Sequence, residues 1–332
     1  MSTVIESNEL VEATMLSMRV RQKKLIAHET VLFELASNDA QSLPPFSAGS
    51  HVVVITPNGL TRRYSLCNAP SERETFVIAV KRDAQGDGGS ISMVDDLMVG
   101  DRLSVSHPEN YFPLSGDAES CVLVAGGIGI TPILAMAREL LDRNIDFKVI
   151  YCTRSPETTA FIPELSALGL VDRIVIHHDH GDRTQSLDLA PLLAERPQGA
   201  HLYCCGPRPL MQAVRDLTRH WPSGAVHFED FGTSVHPAQE QEQEQDREFS
   251  VRLARQGTTV SVPVGVSILE ALRRCGIAVP SSCESGTCGS CRTRLLSGVA
   301  EHRDFVLDED AYDKEIMICV SRAKSEALEL DL

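Results

Sequence analysis

The spacing of hydrophobic residues changes twice along the chain and separates three regions. In residues 15–115, short alternating or β-branched runs such as HVVVIT, TFVIAVKR and DRLSVS are interrupted by Gly and Pro. A period of two with frequent turn residues is typical of antiparallel strands. We therefore predict an antiparallel β-barrel or sandwich over residues 15–115, preceded by an N-terminal tail at residues 1–14.

Residues 116–232 show a different pattern, in which apolar strands alternate with helices. CVLVA is followed by a glycine-rich turn and by ITPILAMARELLDRN, which has helical spacing and Pro132 in its first turn. FKVIYCTR, RIVIHHD and HLYCCG follow as further strands that we expect to be buried. This alternation predicts an α/β domain with a parallel sheet.

The segment TSVHPAQEQEQEQDRE has almost no large apolar side chain, so it cannot bury enough surface to fold alone. We predict a linker at residues 233–247; a solvated helix is the alternative, because Glu and Gln are good helix formers. The C-terminal region, residues 248–332, then forms a third domain. It contains a hairpin pattern that turns at Gln256–Gly257 and a helix, SILEALRRCG, that ends at Gly276.

Length and charge limit the classes of function. A chain of 332 residues is long enough for two or three domains. The formal net charge of −15 argues against a nucleic-acid-binding protein and against adhesion to an anionic membrane. No apolar run reaches the roughly 20 residues of a membrane span, and the first residues lack a secretory pattern. We therefore expect a reducing, cytoplasmic location for the ten cysteines.

Cysteines dominate the C-terminal region, where SSCESGTCGSCRTRLLSG places Cys283, Cys288 and Cys291 at C-x4-C-x2-C spacing. Cys319 follows after 27 intervening residues. This is the spacing of plant-type 2Fe–2S ferredoxins, in which four thiolates hold the cluster. The spacing therefore predicts a 2Fe–2S site and a small α+β ferredoxin domain.

The small residues around the cysteines fit the same site. Gly286 and Gly289 let backbone N–H groups converge on the negative charge of bridging sulfides. Structural zinc is the main alternative, but zinc sites usually have two C-x2-C pairs and only one is present. Ordinary core cysteines would not be surrounded by Gly and Ser. Cys275 lies outside the spacing, and we expect it to be buried.

Two turns of the α/β region have the composition of ligand loops. AGGIGITP and CGP both follow predicted strands, and ligands bind at the carboxyl ends of strands in open α/β sheets. The first turn does not have the G-x-G-x-x-G spacing, so it is not a Rossmann fingerprint. Buried core positions are the alternative for Cys204 and Cys205.

The motif HHDHG contains adjacent histidines, which point to opposite faces of a strand, and this argues against a shared metal ion. Asp179 in the same motif is either a ribose ligand or a surface acid.

The first region offers RRYSLCN, in which Arg, Tyr and Ser could contact the phosphate, the ring face and the heteroatoms of a flavin. An exposed strand with ordinary charges is the alternative. AVKRDAQGDGGSIS adds a second cationic and glycine-rich segment ahead of a helix, where a phosphate could bind.

Taken together, the R-x-Y-S motif, the AGGIGITP loop, the CGP turn and the C-terminal cysteines occur in one order that resembles the phthalate dioxygenase reductase family, within the ferredoxin–NADP reductase superfamily. The resemblance spans roughly residues 15–332. It implies a flavin barrel that binds FMN, a domain that binds NADH and a tethered ferredoxin with a 2Fe–2S cluster.

The resemblance also implies the site residues. Those that contact FMN are Arg62, Arg63, Tyr64, Ser65, Val80, Lys81, Arg82, Gly88, Gly89, Ser90, Ile91 and Thr131, with Phe231 stacked on the ring. Those that contact the nucleotide are Gly127, Thr153, Arg154, Asp179, Cys205, Gly206 and Pro207. Ser65 and Cys205 lie beside the reacting rings, and the metal ligands are Cys283, Cys288, Cys291 and Cys319.

In such a relay, nicotinamide gives two electrons at once, a cluster accepts one, and flavin connects the two. The resemblance implies a monomer that docks transiently on a Rieske oxygenase component, which binds the aromatic substrate. A different acceptor, such as a diiron monooxygenase, is the second reading. A zinc-stabilised nucleotide-binding module without redox turnover is the third. Asp179 favours NADH by repelling a 2′-phosphate, whereas Arg154 could accept one.

Overall fold

The structure is a computed structural model that describes residues 15–38, 42–170, 172–222, 224–231 and 246–332. The chain divides into two compact units after Phe228. The predicted N-terminal tail lies outside the described residues, and so does the predicted linker except for Asp246 and Arg247.

An antiparallel sheet forms the first part of unit 1, as the alternating pattern predicts. Its strands are β1 (Leu16–Ala27), β2 (Thr30–Ser37), β3 (Ser50–Ile55), β4 (Thr61–Ser65), β5 (Thr75–Lys81), β6 (Arg102–Val105) and β7 (Glu109–Asn110), and helix α1 (Gly89–Asp95) follows β5. The strand order is β4-β3-β6-β1-β2-β5, and β7 pairs with β3. Phe33, Val52 and Phe76 are fully buried in its core.

The segment after β4 joins the two edge strands of this sheet. The Cys67 amide donates to the Val77 carbonyl over 2.9 Å. The Asn68 side chain donates to the Thr75 carbonyl at 3.0 Å and accepts from the Val77 amide at 3.1 Å. These bonds draw β4 towards β5, so the sheet curls in the way that a barrel requires.

The second part of unit 1 is built on a sheet with the order β10-β9-β8-β11-β12. The strands are β8 (Ser120–Gly126), β9 (Asp146–Thr153), β10 (Ile174–His178), β11 (Ala200–Cys205) and β12 (Val226–Glu229). The helices are α2 (Ile130–Asp142), α3 (Ile162–Ala167), α4 (Ala190–Leu193) and α5 (Arg208–Leu217), with short 3-10 turns at Gly127–Gly129, Pro156–Thr158 and Arg183–Gln185. The pairs β8–β9, β9–β10 and β8–β11 are parallel, as predicted for an α/β domain.

Strand β10 differs from the prediction, because it is not buried. It forms an edge of the sheet, and Val175 and Ile176 are 44% and 38% exposed. An apolar run cannot by itself distinguish a central strand from an edge strand, and the sheet order decides its exposure. Within the described residues, no helix is both long enough and apolar enough to cross a bilayer.

Unit 2 contains the cysteine-rich region and has its own core around Val251, Leu272 and Leu330. Its elements are β13 (Phe249–Leu253), β14 (Thr258–Val262), α6 (Ile268–Arg274), β15 (Arg292–Ser297), β16 (Ala300–Glu301), a 3-10 turn at Glu309–Ala311, β17 (Glu315–Met317), β18 (Arg322–Ala323) and β19 (Ala327–Leu330). The main sheet has the order β14-β13-β19-β15-β17, and β16 pairs with β18. The hairpin turns at residues 254–257, with Gly257 at φ 67°, as the sequence predicts.

The expectation that Cys275 is buried is wrong, because its side chain is exposed. Helix α6 begins at the N-cap Ser267, whose hydroxyl accepts from the Glu270 amide, and ends at Arg274. The chain then turns through Gly276 at φ 76°. Cys275 follows the buried Leu272 by three residues, which is the spacing of a core position on a helix. It lies after the last helical residue, however, where the core no longer covers the chain.

A buried ion pair fixes the residues of unit 2 that directly precede β13. Arg322 Nε lies 3.1 Å from Asp246 Oδ2, and the two side chains are 5% and 3% exposed. Arg322 also donates to the carbonyls of Arg247 and Pro263, over 3.0 and 3.1 Å. Arg303 adds a second cation 2.7 Å from Asp246. The carboxylate therefore connects the segment before β13 to β18, the strand that follows Cys319.

Replacing Asp246 by Ala leaves the guanidinium of Arg322 buried without its counter-ion, and we expect this to lower the free energy of unfolding of unit 2 by about 3–5 kcal/mol. Hydrogen exchange with mass spectrometry measures the loss as faster exchange in peptides from residues 249–332, with peptides from residues 15–228 unchanged. Asp331→Ala is the control, since its partner Arg255 is 70% exposed and the pair contributes little. Equal exchange in Asp246→Ala and Asp331→Ala would contradict the role given to the buried pair.

Candidate functional site: four thiols and two glycine-rich ligand edges

Three of the four predicted cluster cysteines lie on one loop between α6 and β15, and Cys319 follows β17. The Ser285 amide donates to Cys283 Sγ at 3.4 Å, and the Cys283 amide donates to Cys288 Sγ at 3.4 Å. Cys291 and Cys319 are buried, whereas Cys283 and Cys288 are half-buried. The loop therefore directs backbone N–H groups at sulfur, as its Gly and Ser content predicts.

Hydrogen bonds between the thiols group them into two pairs, Cys283 with Cys288 and Cys291 with Cys319. The hydrogen bond from Cys288, and then the Ser285 amide, lower the pKa of Cys283 to about 3 against the effect of burial. The hydrogen bond that Cys319 donates likewise lowers the pKa of Cys291, and the pKa values of the donors Cys288 and Cys319 are raised. Backbone N–H groups that donate to Cys283 and Cys288 favour the thiolate form, which is the form that ligates iron.

The arrangement fits a cluster better than zinc. A tetrahedral zinc ion needs its ligands to converge on a single point. Structural zinc usually takes two C-x2-C pairs, and this loop holds only one. Three cysteines on one loop, with Cys319 in the turn after β17, match the donor set of a plant-type two-iron cluster.

Gly286 lies where the cluster loop contacts the rest of unit 2. Its φ is 78°, and a Cβ there would lie 2.7 Å from Val320 Cγ2 and 3.1 Å from Asp304 Cα. The Phe305 amide donates to the Gly286 carbonyl over 2.8 Å. The close approach therefore requires glycine for two independent reasons, conformation and space.

Asp304 is a residue of this site that the sequence analysis misses. Its carboxylate is 1% exposed and accepts from the amides of Val306 and Leu307 at 3.0 and 2.8 Å. The Ser321 hydroxyl approaches the other oxygen at 3.4 Å. Asp304 thus holds the segment that packs on Gly286 to the chain just after Cys319. The local sequence RDFVLDED is typical of a surface loop, so it contains no signal of this burial.

In unit 1, the R-x-Y-S strand carries a buried polar atom that suits a flavin. The Tyr64 hydroxyl is buried and has no hydrogen-bond partner among the described residues, and burial raises its pKa to about 12. A Cβ on Gly89 would lie 2.6 Å from Arg62 Nε, so Arg62 packs directly on the glycine turn before α1. A buried hydroxyl without a partner is costly, and a bound flavin with polar ring atoms would supply the missing partner.

The other predicted flavin residues are placed with different partners. Arg82 forms an ion pair with Asp95 of α1 at 2.8 Å, so its guanidinium is already engaged. The Ser90 hydroxyl accepts from the Asp83 amide at 3.0 Å, and the Thr131 hydroxyl donates to the Ile128 carbonyl at 3.0 Å. The side chains of Ser65 and Val80 are buried and Ile91 is half-buried, whereas Arg63 and Lys81 are exposed. Phe231 is half-buried and falls in unit 2, so its stacking on the flavin stays a prediction.

The two predicted nucleotide turns meet at the carboxyl edge of the parallel sheet. A Cβ on Gly126 would lie 2.5 Å from Pro207 Cδ, and one on Gly129 would overlap the Cys205 carbonyl. A Cβ on Gly206 would in turn lie 2.9 Å from Gly126 Cα. Since β8 and β11 are adjacent, the two turns can approach this closely only without side chains. Gly127, at φ 53°, has open space where its side chain would be.

The end of β9 forms the next part of this edge. The Thr153 hydroxyl lies 2.9 Å from His178 Nδ1 and 2.7 Å from the Thr159 hydroxyl. The Asp179 amide donates to the Thr153 carbonyl at 3.1 Å, and Asp179 Oδ1 accepts from the Gly181 amide at 2.9 Å. Arg154 is exposed beside it. The structure therefore brings Thr153, Arg154 and Asp179 to one edge.

The histidines of HHDHG do not share a site, as the strand geometry predicts. His178 contacts Thr153, whereas His177 Nε2 lies 2.6 Å from the Gln185 carbonyl. The 3-10 turn at Gly127–Gly129 also lies beside β5, the strand that carries Val80 and Lys81. The predicted nucleotide loop and the predicted flavin strand are therefore neighbours within unit 1.

We expect Gly286→Ala to reduce the iron content of the purified protein, because the added methyl group forces Val320 and Asp304 away from the cluster loop. Iron and sulfide analysis, together with visible absorbance, measures the loss. Gly276→Ala is matched to it, since Gly276 also has a positive φ, of 76°, but a Cβ there would have no neighbouring atom within 4 Å. Backbone strain of about 1–2 kcal/mol is common to both variants, so equal iron content in the two would argue against the steric account.

Three families match successive parts of the chain. Residues 17–113 match the family described as oxidoreductase FAD-binding domain, residues 123–216 match the oxidoreductase NAD-binding domain, and residues 251–324 match the 2Fe-2S iron-sulfur cluster binding domain. The three matches follow the order of the flavin edge, the nucleotide edge and the cluster loop in the structure.

Full-length relatives share this organisation. The chain is 51% identical over 329 residues to the phthalate 4,5-dioxygenase oxygenase reductase subunit of Pseudomonas putida, covering 99% of this chain and 100% of the relative. It is also 51% identical over 318 residues to the phthalate dioxygenase reductase of Burkholderia cepacia, covering 96% and 97% of the two chains.

A solved structure with a comparable fold is described as a phthalate dioxygenase reductase with a modular structure for electron transfer from pyridine nucleotides to [2Fe-2S]. It has a TM-score of 0.69 and 50% identity, and the match covers 97% of this chain and 99% of that one. The chain is an oxidoreductase with FMN, NADH and 2Fe–2S cofactors, and it belongs to the phthalate dioxygenase reductase family.

Proposed function

We propose that this chain is the reductase component of a Rieske-type aromatic-ring dioxygenase or demethylase, and that it passes electrons from NADH through FMN to the cluster and on to the oxygenase. The observation that carries the proposal is the order of the three sites in one chain, with four cysteines as the last donor set. The relatives from Pseudomonas putida and Burkholderia cepacia, which are named as phthalate dioxygenase reductases, support the same class of partner.

The domain boundaries are part of this proposal. We assign residues 15–115 to FMN binding, residues 116–232 to NADH binding and residues 248–332 to the ferredoxin, with a tail at 1–14 and a linker at 233–247. The boundaries follow the changes in hydrophobic period along the sequence.

The cluster ligands in this assignment are Cys283, Cys288, Cys291 and Cys319. Bound iron accepts one electron at a time, whereas the nicotinamide supplies two and the flavin mediates between them. The protein contributes backbone N–H groups that face the sulfurs, such as that of Ser285 towards Cys283. Hydrogen bonds to sulfur are one of the determinants of a cluster's reduction potential.

The flavin in this assignment is held by the strand and turn residues that surround the Tyr64 hydroxyl. Tyr64 provides the ring contact, Arg62 faces the phosphate end near Gly89, and Ser65 lies beside the reacting part of the ring. The remaining predicted contacts are Arg63, Val80, Lys81, Arg82, Gly88, Ser90, Ile91, Thr131 and Phe231. Arg82 already forms an ion pair with Asp95 of α1. In this assignment Arg82 therefore orients α1 rather than binding the phosphate.

The nucleotide in this assignment crosses the carboxyl edge of the sheet. Gly127 leaves open space for the pyrophosphate, Gly206 and Pro207 contact the nucleotide from the turn that packs on Gly126, and Cys205 positions the nicotinamide ring without reacting with it. Thr153, Arg154 and Asp179 face the ribose. The Asp179 carboxylate excludes a 2′-phosphate, which favours NADH.

A Rieske centre is a suitable acceptor for energetic reasons. Plant-type clusters have reduction potentials near about −400 mV and Rieske centres about −150 mV or higher, so electron transfer to a Rieske centre is downhill.

We propose a monomer that docks transiently on the oxygenase through local charge patches, with an association rate constant that falls as salt is added. Reconstitution with purified Rieske oxygenases tests the partner class: NADH-dependent product formation supports it, and reduction of a diiron monooxygenase alone would replace it with the second reading.

Replacing Cys288 by Ser removes a thiolate ligand, and we expect the variant to lose NADH-dependent reduction of cytochrome c, a one-electron acceptor. Reduction of the flavin by NADH should persist, because unit 1 contains the predicted nucleotide residues and all the predicted flavin residues except Phe231. Stopped-flow absorbance follows the two steps separately. Cys275→Ser, at an exposed cysteine outside the spacing, should keep both activities. If Cys288→Ser also kept both, the electron path would not run through the cluster.

Asp179→Asn should narrow the preference for NADH over NADPH, because it removes the negative charge that faces a 2′-phosphate while keeping an oxygen that can accept from the Gly181 amide. We expect the ratio of kcat/KM values for the two nucleotides to fall about tenfold, which corresponds to about 1.4 kcal/mol. Steady-state kinetics with both nucleotides measures the ratio. An unchanged ratio would place the selectivity elsewhere, with Arg154 the next residue to vary.

A further inference from the structure

Helix α2 carries two adjacent charged residues that contact the flavin sheet. Arg138 Nη1 donates to the Cys67 carbonyl over 2.9 Å. Glu139 Oε2 accepts from the Ala48 amide at 2.9 Å. Both side chains are half-buried, whereas the residues from Ile130 to Ala137 are buried. The helix is therefore fixed to its own domain by apolar packing and to the flavin sheet by two hydrogen bonds to charged groups.

The two backbone groups belong to the same end of the flavin sheet. The Leu66 amide donates to the Ser50 carbonyl over 2.8 Å, which connects the segment after β4 to the start of β3. Cys67 is two residues beyond Ser65, and its own amide is held by Val77 at 2.9 Å. Arg138 therefore binds the backbone directly after the predicted flavin residues Arg62 to Ser65, where the sheet curls between its edge strands β4 and β5.

The other end of α2 belongs to the predicted nucleotide site. The helix begins directly after the 3-10 turn at Gly127–Gly129 and has Thr131 in its first turn. Arg138 is seven residues further along, which is about two helical turns or roughly 10 Å. One short helix thus spans from the nucleotide turn to the flavin strand.

This connection bears on the chemistry because hydride transfer needs close approach. Reacting atoms must come within about 3–3.5 Å, and a misplacement of about 1 Å can slow a reaction about 100-fold. Hydrogen bonds with one charged partner are stronger and more directional than neutral ones. Arg138 and Glu139 are neither cluster ligands nor predicted cofactor contacts, and Glu139 also lies 3.6 Å from Arg143 of its own helix.

We propose that Arg138, assisted by Glu139, is a positioning residue for hydride transfer, which sets the approach of the nicotinamide to the flavin without touching either. The inference rests on the proposed function. In the step it serves, the C4–H bond of NADH breaks and an N–H bond forms at flavin N5. Two electrons and one proton move together, NAD⁺ leaves, and the flavin is reduced.

The test compares Arg138→Met, which keeps the length of the side chain but removes the donor, with Arg138→Lys, which restores a cationic donor. Anaerobic stopped-flow of the purified, FMN-loaded full chain with saturating NADH gives the rate of flavin reduction. We expect Arg138→Met to be slowed about tenfold or more and Arg138→Lys to recover most of the rate. Flavin content and the Kd for NADH should change less than twofold in both.

A second readout reports ring geometry independently of turnover. The long-wavelength absorbance of nicotinamide stacked on flavin should weaken in Arg138→Met and return in Arg138→Lys. Glu139 offers a matched pair: Glu139→Gln keeps an acceptor oxygen for the Ala48 amide and should lose less of the rate than Glu139→Met, which should resemble Arg138→Met. If Arg138→Met does not fold, the two Glu139 variants test the positioning role in its place.

Two results would overturn the inference. One is a wild-type rate and a wild-type stacking band in Arg138→Met or, if that variant does not fold, in Glu139→Met. The other is loss of flavin or of NADH affinity in parallel with the rate, which would make the contact structural only. Failure of wild-type protein to reduce its flavin with NADH would instead contradict the proposed function, so the two failures are distinguishable.

Discussion

The crossing of two turns at the carboxyl edge of the parallel sheet is the constraint on which the catalytic end of unit 1 depends. Gly126, Gly129 and Gly206 have no side chain where the chain passes the Cys205 carbonyl and Pro207. Since β8 and β11 are adjacent, any Cβ here would push the turns apart. The position of α2 follows from this contact, because the helix starts directly after the first turn.

In unit 2, the cluster loop must also be held in one conformation, but here the contacts that hold it come from outside the loop. Its sulfur atoms need donors from the backbone, so its loop is made of Gly and Ser and forms little regular structure. Rigidity comes from outside the loop, through Asp304 and through the contact of Phe305 with Gly286. A buried carboxylate that accepts two amides is a stable anchor for a segment that has no strand or helix to fix it.

The sequence predicts local features of this protein well and long-range contacts poorly. The hairpin at Gln256–Gly257 and the helix that ends before Gly276 follow from turn and cap chemistry, which acts over a few residues. The exposure of β10 depends on sheet order, which an apolar run does not encode. The contact between Arg138 and the Cys67 carbonyl joins residues 71 positions apart, and nothing near either residue signals it.

Candidate sites follow the same division. Spacing alone predicts the cluster cysteines, because three of the four ligands of such a cluster lie on one short loop. Polar pairs that support the fold, such as Asp246 with Arg322, have no spacing rule, since their members meet only after folding. Motif reasoning therefore predicts the groups that would touch cofactors and misses the groups that fix the surrounding segments.

The solvent-facing thiol at the end of α6 has a practical consequence. All ten cysteines of the chain are described, and Cys275 is the single exposed one. A maleimide dye or nitroxide should therefore attach at one defined position of unit 2 under mild conditions. The same thiol gives two molecules a route to a covalent dimer in air, so the state of aggregation of purified protein will depend on the reductant in the buffer.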